Sequence, residues 1–196
     1  MTVHELAHGL VAYWLGDDTA KQAGRLTLNP FSHIDWLGLI CLVIARIGWA
    51  KPVPVNLNNF KNPRWGMALC ALAGPVANIL LAFISVLCFL LIGVFTSGGI
   101  WIAASEFIQV VAMISAGIAV FNLIPIPPLD GSRILAAFLP GKLSFWFQRY
   151  GMVLQIVLLA MIFLGTASSV IIKGQGLIIS FFYNLCLHIF IALGIA

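Results

Sequence analysis

Apolar residues along this chain run in stretches too long and too continuous for the alternating faces of a soluble helix or strand. The stretches 65–95, 100–124, 147–164 and 176–196 each come near the ~20 residues that a helix needs to cross a bilayer. Only Gly74-Pro75 interrupts the first, and Ser97-Gly98-Gly99 turns it into the second. An earlier apolar stretch, 1–16, is shorter: about 24 Å of helix against a hydrocarbon core of ~30 Å. A first span that short predicts a chain truncated at its N-terminus. The stretch 36–49 has 14 residues and carries Arg46, which suits a re-entrant or interfacial segment better than a full span. Segments 24–30 and 51–56 are short, alternate in pattern and are bounded by turn formers, so they predict small edge strands. Pro52 and Pro54 exclude a central place in a sheet. The fold expected is an all-α polytopic membrane protein with about five membrane helices, a re-entrant or interfacial segment and short cytoplasmic edge strands.

Composition narrows the class. Hydrophobic residues make up 62% and charged residues 8%, against roughly a quarter charged in soluble domains. The chain therefore reads as one integral membrane domain over 1–196, with a catalytic core at 1–140 and C-terminal helices at 145–196. No room is left for an added soluble module. The net charge of +4 sits in loops and reports orientation, not nucleic-acid binding. Stretch 17–64 holds Lys21, Arg25, Arg46, Lys51, Lys61 and Arg64, and 125–149 holds Arg133, Lys142 and Arg149. The 96–99 turn has no Lys or Arg, and 165–175 has only Lys173. Placing both basic stretches in the cytoplasm lets the spans alternate without conflict and leaves the C-terminus cytoplasmic. Cys41, Cys70, Cys88 and Cys186 lie scattered in apolar segments without CxxC pairing, as small buried side chains do.

Chemistry enters at His4-Glu5-Leu6-Ala7-His8. Imidazoles four residues apart on a helix lie one turn above each other and can share one metal ion. Glu5 is placed to take a proton from a water at that metal. A catalytic zinc site uses three protein ligands, so one is missing. Asp130 is the candidate, because Pro125, Pro127 and Pro128 forbid a regular helix just before it. Unwound backbone at membrane depth is tolerated only when buried or lining a watery cavity. A carboxylate there costs about 2.5–3.5 kcal/mol on insertion scales unless paired or metal-bound. Asn78 follows the Gly74-Pro75 pair and can donate to a developing oxyanion.

Plainer roles stand beside these. His4 and His8 can be a packed core pair, Asp130 an N-cap or turn residue, and Asn78 an interhelical bond. Asn122 caps its helix or touches substrate. His33 and Asp35 read as structural, His188 as interhelical or interfacial, and Glu106 as snorkelling to the interface.

The histidine motif, Gly74-Pro75-Val76-Ala77-Asn78, and Asn122 through Asp130-Gly131 together resemble the site-2 protease family of intramembrane zinc metallopeptidases. The segments 29–35 and 48–56 resemble a small prokaryotic branch of it. The likeness runs from His4 to about Pro140. It implies Zn2+ held by His4, His8 and Asp130, Glu5 as general base, and Asn78 at the substrate carbonyl or oxyanion. It also implies a membrane-protein substrate, cut to release a signalling regulator or to clear signal-peptide remnants, in a prokaryotic cell membrane. Oligomeric state is not legible. The alternatives are a non-catalytic membrane metal carrier or sensor, which needs no base beside its ligands, and a truncated, inactive homologue.

Overall fold

The longest apolar run becomes the axis of the protein. A computed structural model describes residues 1–45, 48–96 and 98–194; Arg46, Ser97 and Ala196, which enter the orientation and span assignments, lie outside the described residues. In chain order the helices are α1 (Thr2–Trp14), α2 (Thr19–Gln22), α3 (Trp36–Ala45), α4 (Pro63–Phe95), α5 (Gly99–Leu123), α6 (Asp130–Phe138), α7 (Gly141–Arg149), α8 (Gly151–Phe163) and α9 (Thr166–Ala192). The Asn62 side chain caps α4 and Pro63 opens its first turn. From there α4 packs against α1, α5, α6 and α9. Its buried positions are small, among them Ala71, Gly74 and Ala82, and those of α5 are Ala112, Ser115, Ala116 and Ala119. Small side chains let helix backbones approach closely, which is how helices associate where lipid offers no hydrophobic drive. Large apolar residues such as Leu80, Ile84, Phe107 and Ile114 point outward.

Among the described residues, α4, α5 and α9 are long and apolar enough to cross a membrane, and the bent pair α7–α8 makes a fourth if counted as one span. The helix at the N-terminus, expected as a span, covers 13 residues. The last helix starts at Thr166, ten residues before the expected Gly176. Lys173, Gly174, Gln175 and Gly176 look like a polar connection in sequence, yet they continue the helix, whose break lies at Gly165. α3 is a ten-residue helix capped by Asp35, which accepts a hydrogen bond from Gly38 N–H at 3.0 Å. Its Trp36, Ile40, Val43 and Ile44 are exposed.

No strand forms among the described residues, so the two expected edge strands are absent as strands. One antiparallel bridge joins Ile34 to Ala50. The physical reason lies in the partners. Segment 51–56 is extended, but after Lys51 N–H, which donates to the His33 carbonyl at 3.0 Å, its backbone bonds to side chains where a strand would bond to a neighbouring strand. Arg25 donates to the carbonyls of Lys51 (2.5 Å) and Pro52 (3.3 Å), and Asp17 accepts from Asn56 N–H at 2.7 Å. Segment 48–56, tied to 29–35, thus forms a strap along α1 from Glu5 to Asp17. His33 is buried in it, its Nε2 2.9 Å from the Thr27 carbonyl.

Candidate metal centre

His4 and His8 lie one turn apart on α1, and their rings meet edge to face with centroids 4.6 Å apart. Asp130 opens α6. Its Oδ2 lies 3.0 Å from His4 Nε2 and 3.3 Å from His8 Nε2. One ligand atom from each of the three residues falls within 4.8 Å of the others. A tetrahedral ion with bonds of about 2.0–2.1 Å separates its ligand atoms by roughly 3.4 Å, close to these spacings.

Local sequence explains each position. Three prolines end α5 and turn the chain back, and Gly131 then rests on the last carbonyls of α5, at Leu123 and Ile124. A side chain at 131 would collide with that backbone, so glycine is what lets Asp130 enter the bundle. Arg64, at the start of α4, fixes the other end of α6 by donating to the carbonyls of Ala137 (2.8 Å) and Leu139 (2.5 Å). Gly74 of α4 faces both imidazoles. A Cβ there would stand 2.5 Å from His8 Nε2 and 2.6 Å from His4 Cε1. The helix is bare where the two rings need space.

Outer hydrogen bonds set the rings. His8 Nδ1 lies 2.7 Å from the Cys70 carbonyl, and only N–H can face a carbonyl. The proton is therefore on Nδ1, and Nε2 presents a lone pair toward Asp130. The buried Asp130 Oδ2 accepts no hydrogen bond among the described residues. An imidazole nitrogen and a buried carboxylate oxygen 3.3 Å apart need a cation between them, either a proton or a metal ion. The donor set therefore fits a divalent metal. Asn78, expected at the substrate carbonyl or oxyanion, is buried with its amide 3.1 Å from His4 Nδ1. With His4 Nε2 turned to a metal, Nδ1–H donates to the amide oxygen; the opposite amide orientation has the same shape.

A cavity of about 150 Å³ opens beside the three ligands. Glu5, Pro52, Val53, Val55, Asn122 and Arg133 line it, whereas Asn78 does not. Glu5 Oε2 accepts a hydrogen bond from Val53 N–H at 3.1 Å, so the strap crosses the cleft and touches the acid beside the metal ligands. Val55 N–H and C=O, two residues on and on the same edge, have no partner among the described residues. Sequence reasoning missed the Cys70 carbonyl, the Val53 amide, Arg25 and Asp17. The first two act through backbone and leave no residue signature. Arg25 and Asp17 read as loop charges, yet both are buried. Asp17 accepts from Thr19 N–H (3.1 Å), the Thr19 hydroxyl (2.5 Å), Asn56 N–H (2.7 Å) and the Asn59 amide (2.7 Å). Burial alone would raise its pKa, but these donors outweigh it and hold the carboxyl below its ordinary value.

Comparison with known proteins identifies the family. The model of peptidase family M50 matches residues 91–165, a stretch that includes Asp130. A Bacillus subtilis protein named as a candidate zinc metalloprotease, YwhC, is 43% identical over 165 residues, covering 80% of this chain and 74% of its own length. The chain belongs to peptidase family M50, the site-2 protease family. Two further M50-like relatives carry the same kind of name, Rip2. The one from Mycolicibacterium smegmatis is 36% identical over 67% of this chain, and the one from Mycobacterium tuberculosis 33% over 69%. The chain spans about half the length of those two, 51% and 52%. No solved structure matches the chain.

Proposed function

We propose that this chain is a zinc endopeptidase that hydrolyses peptide bonds in or near the membrane segments of other proteins. In this reading it is a multi-pass protein of a prokaryotic cell membrane with a cytoplasmic C-terminus. The observation that carries the proposal is the convergence of His4, His8 and Asp130 around a cation-sized gap, with Glu5 beside it in an open cleft. His4, His8 and Asp130 hold Zn2+, in keeping with the names of the relatives. Zinc, when bound, supplies a Lewis acid with an open fourth position.

The chain's own residues do the rest. Glu5 takes the proton of the attacking water and passes it to the leaving amine. Val53 N–H occupies Oε2 and fixes the carboxylate's direction, which leaves Oε1 for the water. Cys70 and Asn78 keep the two imidazoles in the ligating orientation, so Asn78 acts through His4. The substrate must present an extended bond, because helical backbone hides its carbonyls. The cleft-facing edge at Val53–Val55 receives it by strand addition. The single unit 1–196 then divides into the catalytic core 1–140 and supporting helices 145–196.

Glu5 separates a peptidase from a metal carrier. Glu5→Gln is expected to keep zinc and to lose cleavage of a membrane-embedded test substrate by about 10²-fold or more. His8→Ala is expected to lose both. Undiminished cleavage by Glu5→Gln, with zinc content verified, refutes the assignment of the base.

A further inference from the structure

The metal cleft holds two polar side chains that neither the metal nor the proton transfer uses: Asn122, whose amide donates to the Ile118 carbonyl of its own helix, and Arg133. Among the described residues, Arg133 is the only Lys or Arg side chain lining it. It stands on α6 three residues after Asp130, so the two side chains share a face of the helix one turn apart. Arg133 is exposed and has no salt bridge or hydrogen bond among the described residues. Two other arginines near the strap and α6 differ from it. Arg25 and Arg64 are spent on carbonyls of the strap and of α6. The acidic groups in the cleft wall are Glu5 and Asp130, and the amino group of Met1 lies on the Glu5 side of it.

We infer that Arg133 is a specificity-determining residue that binds a carboxylate on the substrate, close to the scissile bond. A guanidinium matches a carboxylate in a two-pronged geometry and stays charged at any working pH. Its exposed position at the mouth argues against a role on the oxyanion, which needs a donor in a water-excluded place. The reach also sets the register. Three residues along α6 is about 4.5 Å from Asp130. Added to the length of the side chain, that covers about one to three residues of an extended peptide at ~3.3 Å each. Two sources supply a carboxylate there: an internal Asp or Glu, or the free C-terminus of a membrane-embedded remnant.

This inference rests on the peptidase reading, and its test separates the two. Peptides anchored in detergent micelles would carry Glu, Gln or Lys at positions one to three on either side of the bond. A parallel set would end there in a free or an amidated C-terminus. The wild type is expected to prefer one carboxylate form about fivefold to tenfold in kcat/KM. Arg133→Gln should abolish that preference with zinc content unchanged, and Arg133→Glu should turn it toward Lys. The internal and terminal sets tell the two sources apart. Binding to the Glu5→Gln protein, read by fluorescence anisotropy, should show the same order without any turnover. Equal binding and cleavage of the carboxylate and amide forms, or an order unchanged in Arg133→Glu, overturns the inference. Absence of wild-type cleavage with binding order intact would instead overturn the peptidase reading and leave Arg133 as a carboxylate-binding residue.

Discussion

Gly74 is the residue on which the centre turns, although it contributes no ligand. Alanine there is the better helix former by about 0.8–1 kcal/mol, so Gly74→Ala should not unfold α4. Its Cβ would nevertheless stand 2.5 Å from His8 Nε2, and neither ring can retreat freely, because Cys70 and Asn78 hold their far sides. The expected outcome is unchanged helical circular dichroism with zinc affinity at least tenfold weaker, the order seen when outer partners of a ligand are disturbed. Full zinc stoichiometry at wild-type affinity would mean that the rings do not lie against α4. At this scale the sequence was most legible where chemistry and local periodicity coincide. His4 and His8 declare themselves by spacing alone. Asp130 was inferable because a carboxylate after three prolines has few stable places in a membrane protein. Asn78 was seen as important, and the structure places its amide against His4 Nδ1. Nothing local distinguishes an amide that touches a ligand from one that touches substrate.

The strap is the element least visible in sequence and the one with most influence on the base. Its alternation and prolines marked it as extended, correctly, but extension does not say what the backbone bonds to. Arg25, Asp17 and Glu5 supply those bonds, and their burial depends on α1 and the strap meeting in space. The start of α9 was missed for a related reason: glycines and a lysine weaken a helix signal without ending the helix. Asp17 makes the strap testable. Its pKa is depressed in the folded state, so its contribution is complete above the unfolded value near ~3.9 and is lost as pH falls through the lower, folded value. The strap should be fully anchored at pH 7 and should loosen only on acidification below about 4. Asp17→Ala leaves buried donors without an acceptor, each costing about 1–3 kcal/mol. Hydrogen exchange at Val53 and Asn56, corrected for intrinsic rates, should therefore rise in Asp17→Ala at pH 7. It should rise in the wild type only in acid. Where the strap loosens, peptidase activity should fall with the loss of Val53 N–H from Glu5; equal protection of these amides in both proteins at pH 7 would remove Asp17 as the anchor.

For the whole molecule, helix length and charge together set where hydrolysis takes place. α4 has 33 residues, about 50 Å, and exceeds a hydrocarbon core of ~30 Å by ~20 Å. Lys61 and Arg64 flank its start and Phe95 ends it, so the excess belongs on the basic side, which the proposed orientation puts in the cytoplasm. Gly74 and Asn78 lie roughly 16 and 22 Å along α4 from Pro63. In the proposed orientation the metal centre falls near the inner boundary of the bilayer, and water should reach it from the cytoplasm through the gap between α1, the strap and the proline link before α6. Single cysteines on a background lacking the native four test this, with Cys70 replaced by Ser so that a donor to the His8 carbonyl remains. Lys21→Cys and Ser144→Cys should react with an impermeant maleimide only from the cytoplasmic side, and Gly99→Cys only from outside. Val55→Cys, at the mouth of the cleft, should label from the same side as Lys21→Cys and be protected by a peptide substrate. Labelling of positions 21 and 99 from one side would overturn the orientation. Labelling of position 55 from the side opposite to 21 would leave the spans in place but close the proposed route for water and substrate.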